Sequence, residues 1–327
     1  MLNYIKSLWR LGLYHGSGKK GNFFEGWFFK IVDRAKEHIF AFIPGISLGE
    51  DPHAFIQILD GKTHQSSYIR FPVEDFKAST KKMEIQIGDN IFSGEAIELN
   101  IKTDNRQIKG KLDFGESKPW PVKIASPGVM GWYAFVPLME CFHGVISFDH
   151  AINGTLSINK SNIQFDGGRG YIEKDWGRSF PSAYVWIQSN HFEQPGVSLM
   201  ASVAKIPWLR KSFRGFIIGL FIDNKLYRFT TYNGAQLNYL RLNEFQVQLQ
   251  VSDKKYILNI EARRAEGGLL HAPYNKQMLT RISETLSSQV KIELFHRKKI
   301  SNQLIFSGEG NPAGLDVNGM LKDIIDK

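Results

Sequence analysis

A two-residue alternation of apolar and polar side chains runs through most of the chain and constrains its fold more than any other feature. His53-Ala-Phe-Ile-Gln-Ile, Met83-Glu-Ile-Gln-Ile, Ala96-Ile-Glu-Leu-Asn-Ile, Phe245-Gln-Val-Gln-Leu-Gln-Val and Val290-Lys-Ile-Glu-Leu-Phe each carry the period of a half-buried strand. Asp60-Gly61, Asp223-Asn224 and Asn233-Gly234 punctuate these runs as hairpin turns do. Roughly 20 strands are legible in this way, too many for one small barrel. The expectation is therefore an all-β protein of two tandem antiparallel barrels or curved sheets, over residues 1–160 and 161–327. Helical periodicity is confined to Leu2 to Leu11 and Met320 to Ile325, and Gly115 to Pro137, with four prolines, reads as an excursion across the junction.

Composition narrows the function. With 327 residues, 43% hydrophobic and 22% charged, the chain can bury a core without disulfides and is not disordered. No run approaches the roughly 20 apolar residues of a membrane-spanning helix, and no secretory apolar core opens the sequence, so a cytoplasmic protein is expected. The single Cys141 removes internal disulfides, thiolate metal sites and dithiol redox chemistry. Gly16-Ser-Gly18-Lys-Lys-Gly21 has the glycine spacing of a dinucleotide loop but follows no strand and opens no helix. No histidine pair at i, i+4 accompanies a glutamate, so neither a metal nor another cofactor is expected.

The net charge of +9 favours anionic partners. No nucleic-acid-binding module is legible, so nucleic acid is not expected. Lys205 to Phe216 interleaves Lys205, Arg210, Lys211 and Arg214 with Trp208, Phe213 and Phe216, the composition of a loop resting on an anionic membrane and equally of a solvated loop. Aromatic residues make up 13% of the chain, which fits an aromatic-lined cavity or two all-β cores.

The densest chemistry lies mid-chain. If Gly170 to Trp176 is a strand, Tyr171, Glu173 and Asp175 share one face and Ile172, Lys174 and Trp176 the other. Two carboxylates this close, and partly desolvated, do not both ionise easily, which leaves one as a proton donor near neutral pH. A structural ion pair with Lys174 or Arg169 explains the same residues. The next run, Tyr184, Trp186, Gln188 and Asn190, is placed to pair across the turn at Arg178 to Pro181 and to supply an aromatic wall.

His15-Gly-Ser-Gly-Lys-Lys, Phe24-Glu-Gly-Trp-Phe-Phe-Lys30, Pro44-Gly-Ile, Met139-Glu, Ser147-Phe-Asp-His150, Gly168-Arg-Gly-Tyr-Ile-Glu-Lys-Asp-Trp-Gly177 and Gln188-Ser-Asn-His191 together resemble the tocopherol cyclase family, in the same order. Phe28 departs from the Tyr frequent in relatives, and the plastid transit peptide of plant members has no counterpart, which suggests a bacterial or cytosolic protein. The resemblance implies a lipocalin-like fold similar to carotenoid 1,2-hydratases, and chemistry on a hydrophobic prenylated small molecule. It implies an acid, Glu173, that protonates a prenyl alkene so that a phenol oxygen closes a chromanol ring, without metal or redox cofactor. Tyr171 would orient the acid, and Asp175, His150 or Glu140 would relay protons. Trp132, Trp176, Trp186, Asn190, His191, Glu25 and Trp27 are the expected substrate-binding residues, although ordinary packing is the stronger reading of Trp132, Trp176 and Trp186 taken singly. A hydratase and a carrier without turnover remain the alternatives.

Overall fold

In the computed structural model, which describes residues 8–104, 106–136, 139–208 and 211–326, the alternating runs form two antiparallel sheets. By contacts the chain divides into a first unit, Met1–Phe180 with Leu269–Arg281, and a second, Pro181–Gly268 with Ile282–Lys327.

The first sheet comprises β1 (Phe24–Val32), β2 (Ile39–Ser47), β3 (His53–Asp60), β4 (Ser66–Phe71), β5 (Phe76–Ala78), β6 (Glu84–Ile87), β7 (Asn90–Ser93), β8 (Ala96–Lys102), β9 (Gln107–Phe114), β10 (Cys141–Ile158), β11 (Ser161–Gln164) and β12 (Gly168–Gly177). Its order is β4-β3-β2-β1-β12-β10-β9-β8-β7-β6-β5, with β11 against β10. Two meanders, β1 to β4 and β5 to β10, are thus joined by β12, which lies between β1 and β10. Trp27, Phe29, Ile31, Phe42, Ile56, Ile97, Leu112, Ile152 and Ile172 build the core on one face of the sheet.

The second sheet repeats this plan. It comprises β13 (Ala183–Ser189), β14 (Ser198–Trp208), β15 (Lys211–Ile222), β16 (Lys225–Thr230), β17 (Gln236–Leu242), β18 (Gln246–Ser252), β19 (Tyr256–Arg263), β20 (Gly268–Tyr274), β21 (Gln277–His296) and β22 (Gln303–Gly319). Here β22 is the late strand between two meanders, in the order β16-β15-β14-β13-β22-β21-β19-β18-β17, with β20 against β21. Val185, Ile187, Leu199, Ile218, Leu249, Ile260 and Leu294 belong to its core.

The division falls at Phe180 rather than near residue 160, because β12 is the strand that closes the first sheet. The hairpin of residues 269–281 also belongs to the first unit. His271 and Gln57 exchange two hydrogen bonds, from Gln57 Nε2 to the His271 carbonyl (2.9 Å) and from the His271 N–H to Gln57 Oε1 (2.8 Å). Tyr68 stacks on the His271 ring at 4.1 Å. β12 and β13, expected to pair across their turn, lie in different sheets, since β13 pairs with β14 and β22. The proline-rich stretch from Gly115 connects β9 to β10 within the first unit, and one turn of 3-10 helix, Gly131–Phe135, is its regular part. Of the expected terminal helices, residues 2–7 lie outside the described residues, and the last is a single 3-10 turn, Leu321–Asp323. Among the described residues no helix is long and apolar enough to cross a membrane.

Candidate active site

The alternation read from β12 holds in three dimensions. Its register against β1 pairs Glu173 with Phe28 and Asp175 with Gly26; against β10 it pairs Glu173 with Val145 and Asp175 with His143. Tyr171, Glu173 and Asp175 therefore stand on the face of the sheet opposite the core, and β10 adds His143 between the carboxylates.

Tyr171 donates its hydroxyl proton to Glu173 Oε2. His143 Nδ1 lies 2.9 Å from Asp175 Oδ1 and donates to it, and its Nε2 is 3.4 Å from Glu173 Oε2, an ion-pair contact. Burial alone would discharge the imidazole. The fields of Asp175 and Glu173, with the Asp175 hydrogen bond, outweigh it and raise the His143 pKa to about 9. Burial and the neighbouring Glu173 push the Tyr171 phenol upward, so it acts as a neutral donor. The result is a row of contacts, Tyr171, Glu173, His143, Asp175, in which the outer two links are hydrogen bonds and the central one is an ion-pair contact. His143 was not among the expected catalytic residues. Periodicity cannot reveal it, because its place depends on the register between strands thirty residues apart.

The other face of β12 is structural. The fully buried Lys174 ammonium has three N–H donors and three acceptors: the Leu13 carbonyl at 2.7 Å, His15 Nδ1 at 2.9 Å and Glu25 Oε1. It also lies over the rings of Trp27 (4.6 Å) and Trp176 (4.9 Å), and His15 stacks on Trp176 at 4.2 Å. Burial lowers the Lys174 pKa to about 8, which still leaves it charged at neutral pH. Burial would raise the Glu25 carboxyl, but Lys174 and His15 hold it below its ordinary value. Glu25, Trp27 and Trp176, expected to bind substrate, are thus assembled around Lys174 and turned away from Glu173.

The remaining expected residues are dispersed. Two β-bulges in β10, on either side of Ser147, change its phase and bring His150 over Gly170, where an added Cβ would stand 2.3 Å from His150 Nε2. There His150 packs against Phe114 and bonds Ser147 Oγ (3.0 Å), and burial and Arg169 lower its pKa to about 3. It is a neutral core histidine and does not join Glu173. Glu140, just before β10, offers its carbonyl to the N–H groups of Arg178 and Ser179. A Cβ at Gly177 would meet that carbonyl oxygen at 2.3 Å, which accounts for the glycine ending the block. Trp132 is exposed and stacks on Tyr133 at 4.0 Å. Trp186, Asn190 and His191 belong to the second unit, where Trp186 covers Gly314, Gln188 Nε2 lies 3.5 Å from Asn190 Oδ1, and the His191 N–H donates to Ser189 Oγ (3.2 Å).

The basic segment is the hairpin between β14 and β15. Lys205 binds Asp323 (2.7 Å) and Arg214 binds Asp326 (2.8 Å), so two of its four charges are already matched; Leu209 and Arg210 lie outside the described residues.

His143, Glu173 and Asp175 each offer a ligand atom, all within 4.8 Å of one another, so this set can also hold a cation, although no two histidines lie at i, i+4 with a glutamate in the sequence. A metal ion and the imidazolium proton serve the same electrostatic need, positive charge between two carboxylates.

Fold and site together define a lipocalin-like all-β protein with a partly buried carboxylate–imidazole–carboxylate cluster on one sheet. The chain belongs to the tocopherol cyclase-like family, whose model matches residues 106–319 and so includes all of β10 and β12. It is 26% identical to the chloroplastic tocopherol cyclase of Zea mays over 231 residues, 67% of this chain and 47% of that protein. It is 24% identical to the probable chloroplastic tocopherol cyclase of Oryza sativa subsp. japonica over 199 residues, 58% of this chain and 42% of that protein. The matched region thus spans less than half the length of these relatives. Among solved structures, CghA has a TM-score of 0.56 at 10% identity, covering 91% of this chain and 88% of its own. Kievitone hydratase from Nectria haematococca has a TM-score of 0.52 at 12% identity, covering 95% and 94%. These two share the fold.

Proposed function

We propose that the protein closes a chromanol ring on a prenylated quinol by acid-catalysed, non-redox cyclisation. The observation that carries this reading is the Tyr171–Glu173–His143–Asp175 chain, a buried acid with a built-in means of recovering its proton. Membership of the tocopherol cyclase-like family supports the substrate class.

In this mechanism the His143 proton passes from Nε2 to Glu173, which delivers it to a trisubstituted alkene of the prenyl tail, and a tertiary cation forms. The phenol oxygen attacks the cation, the C–O bond closes, and the phenolic proton leaves to the Asp175–His143 pair, which restores the His143 imidazolium. Protons and electrons balance over the cycle, and no oxidant is consumed. Tyr171, held neutral, fixes the Glu173 carboxyl in place.

The setting we propose is cytoplasmic, with the substrate taken from an anionic membrane surface. Since Lys205 and Arg214 are already paired, Trp208 and Phe213, in edge contact at 6.0 Å, carry more of that contact than charge does.

The test is product analysis with prenylated quinols. Glu173→Gln should lower turnover by roughly 10²- to 10⁴-fold while substrate still binds. Full activity in this variant would remove Glu173 from the acid role. Binding without product in the native protein would favour a carrier, and a water adduct in place of a chromanol a hydratase. Turnover lost to a chelator and restored by a metal would put a cation where the mechanism has the His143 proton.

A further inference from the structure

β1 and β2 are sealed along almost their whole length, and the single break in each adjoins partly accessible residues of β12 and β10. Gly26 is the one residue of β1 that is not buried, and Ile43 the one residue of β2. On β12 and β10, Asp175 and His143 are partly accessible, with 27% and 14% of their side chains exposed. The four residues share the face that carries Glu173. Gly26 pairs with Asp175 on one side and Gly45 on the other, and Asp175 pairs with His143.

Two adjacent glycines without side chains leave a hollow in the sheet surface, and its two halves differ. Above Gly45 the space is taken, since a Cβ there would lie 2.4 Å from Phe55 Cζ and 2.7 Å from the Glu25 carbonyl oxygen. Above Gly26 there is room, and a Cβ would make ordinary van der Waals contact with Ile43 Cγ2, Phe55 Cζ and the Pro44 carbonyl oxygen, all at 3.9 Å. The hollow therefore has the Gly26 backbone as its floor, Phe55 and Ile43 as an apolar wall, and Asp175 with His143 as a polar one.

This combination selects its occupant. Anions are repelled by Asp175, and a purely aliphatic chain would strip water from Asp175 and His143 without replacing its hydrogen bonds. A flat ring with a hydroxyl on its edge satisfies both walls. We propose that the hollow over Gly26 is the seat of the substrate's phenolic ring, with a hydroxyl directed at Asp175 and the ring against Phe55 and Ile43, and that Gly26 is a specificity-determining residue because any side chain there fills the seat. The inference rests on the cyclase reading for the identity of the ring. It locates the phenol beside the Asp175–His143 pair that would take its proton.

Binding, measured by calorimetry on the full chain, tests this apart from turnover, with 2,3-dimethylhydroquinone as the ring probe and geranylgeraniol as the chain probe. Gly26→Ala places its methyl group in ordinary contact and should fold as the native protein does, and Gly26→Val fills the seat. Gly26→Val should weaken the ring probe by at least about tenfold and Gly26→Ala by about threefold, with the chain probe held within about twofold throughout. If Gly26→Val fails to fold, the Gly26→Ala comparison decides. Unchanged ring affinity in the variants, or no ring binding by the native protein, overturns the proposal. Ring binding that is blocked at Gly26 while no chromanol forms would refute the cyclase reading and leave the ring seat standing.

Discussion

His143 owes its charge to two neighbours, and that makes it measurable. Its folded pKa of about 9 lies above the ordinary 6.5, so the protonated form stabilises the fold. The sign follows: this contribution is complete below about pH 6.5, falls as pH rises, and is gone above about pH 9. Its size is on the order of 3 kcal/mol. Native protein should show a thermal midpoint that drops across this window, and His143→Gln should flatten the drop. Parallel profiles for the two proteins would mean that His143 does not hold its proton between Glu173 and Asp175. The proposed cyclase activity should fade over the same upper range, since His143 has then lost the proton it would pass to Glu173.

β12 works as an element because its two faces do unrelated jobs, and the period-two reading of Gly170 to Trp176 made that separation legible in advance. What it could not supply was the partner on each side. Asp175 meets His143 only through the β10 register, and His150 is rotated to the core by bulges that leave no signature in Ser147-Phe-Asp-His150. Nor did that reading show that Glu25, Trp27 and Trp176, expected to bind substrate, surround Lys174. A lone acid in the otherwise apolar Phe24-Glu-Gly-Trp-Phe-Phe strand was a usable signal, because a buried carboxylate requires a cation and Lys174 lies on the matching face. Lys174→Met should cost about 3–5 kcal/mol in urea unfolding by leaving Glu25 charged and without its lysine, and Lys174→Met with Glu25→Leu should recover most of it. A double variant as unstable as the single one would mean that the site depends on shape rather than charge compensation.

At the scale of the whole molecule, alternation and turns were enough to foresee two antiparallel sheets, because hairpin meanders are local. The late strands β12 and β22, which close each sheet by a long return, are non-local, and for that reason the expected boundary near residue 160 cut one of them away. The hairpin of residues 269–281 is non-local in the same sense. Replacing it by a short Gly-Ser turn should free Gln57 and Tyr68 from His271 and speed amide exchange in β3 and β4 by at least about tenfold, with β6 to β8 as internal reference. Unchanged exchange would show that the hairpin adds nothing to the first unit.

That hairpin also sets a timetable for the ribosome. The first unit cannot be finished when Phe180 emerges, because its last pieces are encoded after most of the second unit's strands. At synthesis rates of roughly 5–20 residues per second, β3 and β4 wait about 10–40 seconds with Gln57 and Tyr68 uncovered. The two units therefore cannot mature strictly one after the other: the first can close only once residue 281 has emerged, when the second still lacks β22 and most of β21.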